Sequence, residues 1–237
     1  IFAGKYSEPD YETLVNGECD LAVESTMILH TPKVQEMIED LDIPVFVDYS
    51  SYEKKPLGRT EWVKLYGVLM DKEDEAEAAF KSRTEALKEI SHQENTGKTV
   101  AFFYLTANGS VNVRKSFDYV PKMIELAGGK YVFENLGDRD SRASTMNMQI
   151  EEFYAGAKDA DYLIYNSTVD GEMASLDELL VKSDLLKDFK AVKDGHVWCT
   201  TSNFYQESMS LGRFIMDVHN MLTEGVTADT EYMYLLR

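Results

Sequence analysis

The sequence predicts an α/β fold of two lobes, each a parallel-type sheet flanked by helices, joined by one long helix. Three observations predict it. Short apolar runs alternate with helical segments along the chain, the signature of strands feeding crossover helices. One stretch, Asp71 to Ser91, reads as a single long helix and separates two such series. The 237 residues, 44% hydrophobic and 28% charged, suffice for real cores in one large or two small domains.

The first series opens with a short helix from Pro9 to Val15, with Ser7 available as its cap. Leu21-Ala22-Val23 is a short buried strand. Pro32 to Leu41 is a helix with proline at its first position and Val34, Met37, Ile38 and Leu41 on one face. Pro44 to Asp48 is the next strand. Thr60 to Leu69 is helical. The long helix then carries Ala76, Ala79, Phe80, Leu87 and Ile90 on one face and Glu and Lys on the other. His92 to Lys98 is polar and turn-rich, so the lobe boundary falls there.

The second series begins with the nearly continuous apolar strand Thr99 to Leu105. Phe117 to Ala127 is a helix closed by Gly128-Gly129 as a left-handed cap. Short strands at Tyr131–Phe133, Tyr162–Tyr165 and Gly195–Thr200 alternate with helices at Ile150–Gly156, Leu176–Leu180 and Asp184–Phe189. A helix from Met209 to Leu222 closes the chain. The expected organisation is an N-terminal lobe over 1–70, a linking helix over 71–94 and a C-terminal lobe over 95–237. With only about two strands the first lobe is short against the usual 4–6 of a sheet, so it is expected to be incomplete at its start.

Charge narrows the partners. The formal net charge is −18, from 42 acidic and 24 basic residues. That balance repels phosphate backbones and anionic membranes, which disfavours nucleic-acid binding. No apolar run approaches the roughly 20 residues of a membrane span. Ile1 to Lys5 is not the charged start of a signal peptide, so the chain reads as cytoplasmic, mature or trimmed. Cys19 and Cys199 are expected to be two buried thiols rather than a disulfide framework.

Several recognisable motifs fail on context. Gly97-Lys98-Thr99 resembles the end of a phosphate loop, but it opens a strand and has His92 where a glycine is needed. His30, His92, His196 and His219 are scattered, with no metal-ligand spacing. His30 alone follows a strand closely enough to approach a cleft. No G-x-S-x-G elbow or G-x-G-x-x-G turn occurs.

Five segments, in order, resemble the helix-linked class of periplasmic binding proteins. Pro9 to Leu14 followed by Cys19-Asp20-Leu21-Ala22-Val23 matches the family's "E-x-L…x-D-L-x-I" segment. Asp42-Ile43-Pro44-Val45 matches its "G-I-P-V" strand entry, with Asp in place of Gly. Trp62 to Phe80, with Gly67, Asp71-Lys72-Glu73 and Ala76-Glu77-Ala78, matches the lead into its linking helix. Leu126-Ala127-Gly128-Gly129 matches its C-lobe turn, and Val192 to Trp198 resembles its strand near the C-terminus. The family's first strand and helices have no counterpart here.

The resemblance implies a non-catalytic substrate-binding component of an ABC importer, with no cofactor and no resident metal. It implies an iron-chelate-type ligand (a ferric siderophore, haem or a corrinoid such as cobalamin), held between lobes with little closure. The implied partners are an ABC permease and its ATPase, and the implied protein is a monomer. Its implied location is extracytoplasmic: periplasmic, or a lipoprotein anchored on the outer face of a Gram-positive membrane.

Such a site needs aromatic surface and arginine forks at the carboxyl ends of strands. The loops there supply Tyr49, Tyr52 and Arg59 from the first series. From the second come Tyr104, Arg114, Tyr165, Asn166, Phe204 and Tyr205. Trp198 is expected in the core, by strand alternation. The family's permease docks on one carboxylate per lobe, which places Glu36 and Glu207 in that role. Two competing readings are an α/β hydrolase or transferase using a carboxylate pair, and a docking module without a ligand.

Overall fold

A computed structural model describes residues 2–90, 92–139 and 143–237. Ile1, where the expected N-lobe begins, and Ser91, where the expected linking helix ends, lie outside the described residues. One unit of the chain runs to Glu53 and a second from Lys54 to Arg237. The sequence had put the first lobe's end at Met70.

In the first unit, β1 (Gly4–Lys5) and β2 (Glu8–Pro9) form a small antiparallel ladder. Helix α1 (Tyr11–Asn16) follows. Its cap is Asp10 rather than Ser7. One Asp10 carboxylate oxygen accepts from the Thr13 amide at 3.0 Å and the other from the Thr13 hydroxyl at 2.7 Å. Pro9 is therefore in β2, outside the helix. Strand β3 (Ala22–Ser25), helix α2 (Pro32–Glu39) and strand β4 (Val45–Asp48) form the expected β-α-β unit, with Ala22 opposite Val45 in a parallel ladder. Ala22, Ile38 and Ile43 are its buried core, packed by Tyr11, Leu14, Cys19, Val34 and Val45.

The second unit opens with four helices: α3 (Pro56–Glu61), α4 (Val63–Leu69), α5 (Glu73–Thr84) and α6 (Leu87–Ile90). The remaining elements are β5 (Thr99–Leu105), β6 (Val111–Arg114), α7 (Tyr119–Leu126), β7 (Lys130–Tyr131), β8 (Thr145–Met148), α8 (Ile150–Ala157), β9 (Tyr162–Tyr165), α9 (Leu176–Lys182), α10 (Lys190–Lys193), β10 (Val197–Thr200), α11 (Leu211–Glu224) and β11 (Met233–Leu235). One sheet runs in the order β11-β10-β9-β5-β6-β8, with β7 also on β5. Strands β10, β9, β5 and β7 are parallel. The antiparallel strands β6, β8 and β11 were not read from the sequence. Asn112 and Asn147 break the apolar pattern of β6 and β8, and those strands are held by the ladder instead.

Side chains alternate across this sheet. Val100, Phe102, Ile164 and Trp198 pack with Val120, Met123 and Ile124 of α7 and Phe214, Ile215 and Val218 of α11. Ala101, Phe103, Leu163, Tyr165 and Cys199 pack on the other face with Phe153 of α8 and Leu179 of α9. Trp198 is in the core, as alternation required. Cys199 is buried and Cys19 half-buried, and both are free thiols, so the expectation of two buried thiols holds for Cys199.

The single linking helix expected from Asp71 is two helices, broken after Thr84. The Thr84 hydroxyl donates back to the Phe80 carbonyl at 2.9 Å, a bond that bends helices. At the same place α11 approaches the Arg83 carbonyl through Gly212. A β-carbon on Gly212 would sit 2.3 Å from that oxygen. The break brings Leu87 and Ile90 into the core shared with α11.

This close approach gives a test. Gly212→Ala should destabilise the second unit by about 1–3 kcal/mol, because a backbone carbonyl cannot rotate aside as a side chain can. Urea unfolding should show a lower midpoint with an unchanged slope.

Candidate functional site

The site is built at the carboxyl ends of the parallel strands of the second unit, where α/β sheets hold ligands. Asn166 is the residue after β9. Its amide donates to the Phe103 carbonyl at 2.8 Å, extending the ladder with β5 and holding Asn166 almost fully buried. Its side-chain oxygen accepts from the Thr168 hydroxyl at 2.7 Å, which leaves the amide nitrogen to point elsewhere. That nitrogen donates to the Tyr205 hydroxyl at 2.8 Å. Tyr205 stands in a short 3-10 turn, Phe204–Gln206, beyond the end of β10.

Arg114 comes from the other side. It was expected in a loop, but it ends β6, paired with Thr145 of β8. Alternation sends Val111 and Val113 to one face and Arg114 to the other. Arg114 is only 6% exposed. Its Nη1 donates to Asp118 at 3.2 Å and to the Ser144 hydroxyl at 3.4 Å, and its Nη2 donates to the Tyr205 hydroxyl. The guanidinium also lies 4.7 Å from the centroid of the Tyr205 ring.

A buried guanidinium without a counter-charge would be costly, and Asp118 supplies one. Asp118 has a second task as the N-cap of α7, accepting from the Val120 amide. The Arg114 carbonyl accepts from the Tyr131 hydroxyl at 2.8 Å. Burial drives the Tyr131 phenol far above its ordinary pKa, so it stays a neutral donor. Tyr119, the first residue of α7, carries Arg59 of α3 stacked 3.8 Å from its ring centroid, with Arg114 at 5.6 Å. Burial raises the Tyr119 pKa, and the two cations pull it only partly back. Helix α3 is tied down by Thr60, whose hydroxyl donates to the Ser208 carbonyl at 2.9 Å.

The structure thus gathers Arg59, Arg114, Asn166 and Tyr205 into one cluster. It adds Asp118, Tyr119 and Tyr131, which sequence reasoning missed. A local signal existed for Asp118: it precedes the apolar pair Tyr119-Val120 as a helix cap would. The two tyrosines read only as apolar positions.

Tyr165 and Phe204 were expected to face a ligand. Tyr165 is fully buried, edge-on to Phe103, with its centroid 5.6 Å away. Phe204 is 2% exposed and packs on Phe214 at 4.5 Å and on Phe102 at 6.1 Å. Both are core residues here, because their strand or turn position turns them inward. Tyr104 is half-buried, opposite Asn112 in the ladder between β5 and β6. Tyr49 and Tyr52 belong to the first unit, after β4. They are exposed and pack edge-to-face at 5.8 Å. His30 is an exposed residue of the same unit.

Of the two carboxylates assigned to docking, Glu36 is exposed on α2. Glu207 is half-buried and accepts from the Asn203 side chain at 2.9 Å and from the Ser210 hydroxyl at 3.2 Å. It therefore also braces the turn that presents Tyr205. Two surface hollows open on the second unit, the second of them bordering the cluster at Tyr131. One, about 340 Å³, is lined by Lys158, Asp159, Lys190 and Asp194 among others. The other, about 390 Å³, is lined by Ser116, Glu125, Glu134 and Asn135 among others.

Comparison with known proteins gives the class. Residues 2–203 match the family model described as "Periplasmic binding protein", and the chain belongs to that family. A solved periplasmic heme binding protein from Pseudomonas aeruginosa has the same fold, with a TM-score of 0.71 at 15% identity over 99% of this chain and 83% of that one. An ABC transporter substrate-binding protein from Listeria monocytogenes EGD-e gives 0.67 at 18% identity over 94% and 83%. A periplasmic vitamin B12 binding protein of Vibrio cholerae gives 0.61 at 14% over 95% and 82%. Such proteins bind substrates and are not enzymes. An uncharacterized lipoprotein of Methanocaldococcus jannaschii is 32% identical over 194 residues, 80% of this chain and 45% of the relative. The chain spans about half the length of the curated relatives it matches.

The buried ion pair is testable apart from any ligand. Asp118→Ala should cost about 3–5 kcal/mol in urea unfolding, because it strands the Arg114 charge. The double variant Arg114→Met, Asp118→Leu should lose much less, since no unpaired charge is left.

Proposed function

We propose that this chain is the substrate-binding component of an ABC importer and captures an iron-chelate-type ligand: a ferric siderophore, haem or a corrinoid. The observation that supports it best is the cluster of Arg59, Tyr119, Arg114, Tyr205 and Asn166 around the carboxyl end of β9. Flat aromatic surface beside guanidinium groups suits a large chelate with peripheral oxygens. The heme and vitamin B12 binding proteins that share the fold bind ligands of this size class. Tyr49 and Tyr52, exposed in the first unit, are ligand-contact candidates of that unit by themselves.

The loaded protein would hand its ligand to a permease driven by an ATPase. Glu36 and Glu207 are the carboxylates we assign to docking. Outside the cytoplasm such a protein meets its ligand before the permease does, and the lipoprotein relative supports that location. No helix among the described residues is long and apolar enough to cross a membrane.

The test uses tryptophan fluorescence. Trp198 lies in the core that Phe204 joins, so a ligand over the cluster should perturb it. Hemin, cyanocobalamin and ferrichrome are titrated separately. Saturable quenching by at least one is expected, and flat titrations with all three would sink the ligand class. Arg59→Ala should weaken the bound chelate by roughly 10-fold, the scale of one charge-assisted contact.

A further inference from the structure

Arg114 was expected to grip an anionic ligand itself. Its hydrogen bonds go elsewhere. The carboxylate of Asp118 balances its charge and takes Nη1, and Tyr205 takes Nη2. The residue left with unused capacity is Tyr205.

A phenol offers one proton and two acceptor positions. At Tyr205 the oxygen accepts twice, from Arg114 Nη2 and from Asn166 Nδ2. Neither of these groups can accept in return: a guanidinium has no acceptor, and Asn166 turns its own oxygen to Thr168. Both acceptor positions are thereby filled by donors, one of them cationic. Among the described residues the Tyr205 hydroxyl donates to nothing. Its proton is left over, on an oxygen whose electrons are drawn toward a cation, and Tyr205 is half-buried rather than enclosed. Hydrogen bonds in such a chain strengthen one another.

We infer that the Tyr205 hydroxyl is the specificity-determining contact of this site, donating its proton to a negatively charged oxygen of the ligand, with Arg114 and Asn166 as positioning residues that never touch the ligand. The chemical class so selected is a chelate that presents anionic oxygens, such as hydroxamate, carboxylate or propionate. A ligand head that offers only donors is rejected, because Tyr205 has no free lone pair to receive it. This assignment rests on the ligand-capture reading above and adds to it which atom reads the ligand and which charge it reads.

Tyr205→Phe is the deciding variant. It removes one oxygen and keeps the ring that packs on Phe204 at 5.3 Å and lies under the Arg114 guanidinium. Wild type and variant are titrated with hemin, ferrichrome and ferric citrate. The expected result is saturable binding of at least one by the wild type and about 10- to 100-fold weaker binding by Tyr205→Phe, the value of a hydrogen bond to a charged group. Circular dichroism and an unfolding midpoint establish that the variant is folded. In a double-mutant cycle, Asn166→Ala combined with Tyr205→Phe should weaken binding no more than Tyr205→Phe alone, since both act through one proton. Equal affinities of wild type and Tyr205→Phe would overturn the inference and leave ligand capture standing. If the wild type binds none of the three oxygen-bearing chelates, the inference falls as well. Cyanocobalamin then separates the two claims: its saturable binding would keep the importer reading, and its failure would end both.

Discussion

Strand β5 is the constraint on which the second unit depends. It is buried on both faces and pairs with β9, β6 and β7. Its odd and even residues feed separate cores, so neither core can form without it. Such a strand must be continuously apolar, and Thr99 to Leu105 is. Parallel pairing on one side and antiparallel pairing on the other then fix what lies at its carboxyl end. Asn166 arrives there from β9 and Tyr205 from the turn beyond β10, while Arg114, one residue past the Phe103–Val113 pair of the antiparallel β6, reaches the Tyr205 hydroxyl through its long side chain.

The charge at that place is handled by substitution of partners. Arg114 is too deeply buried to rely on water, so the protein supplies Asp118, Ser144 and Tyr205 instead. The same packing that buries the arginine stiffens the tyrosine in front of it. An exposed arginine would bind an anion more directly, but it would lose side-chain freedom in doing so. Here the ordering is done during folding, and for the ligand site we propose that is the general advantage of preorganisation.

The family relationship and the local chemistry carry different weights. A match over residues 2–203 establishes the family. Shared fold at 14–18% identity establishes architecture and says nothing about which ligand is taken. Selectivity belongs to the side chains that touch a ligand, not to the fold. Glu207, which we propose as a docking carboxylate, is already committed to bracing the turn of Tyr205.

The sequence by itself determined the alternating α/β architecture, because apolar runs and helical periodicity are local and strong. It determined the core place of Trp198 and the strand–helix–strand unit from β3 to β4 for the same reason. It also placed Arg114, Asn166 and Tyr205 on one list, since each lies near the end of an apolar run. Only the tertiary structure decided which of them meet. The break after Thr84 coincides with a close approach from Gly212, more than a hundred residues away. The strand that carries Arg114 exists through its ladder with β5 and β8 rather than through its own pattern. The burial of Tyr165 and Phe204, and the neutralisation of Arg114 by Asp118, follow from packing against distant elements. A list of residues at strand ends holds no information about which hydrogen-bond acceptors are already filled. That accounting needs every neighbour in place, and it is the reason we propose Tyr205 rather than Arg114 as the ligand contact.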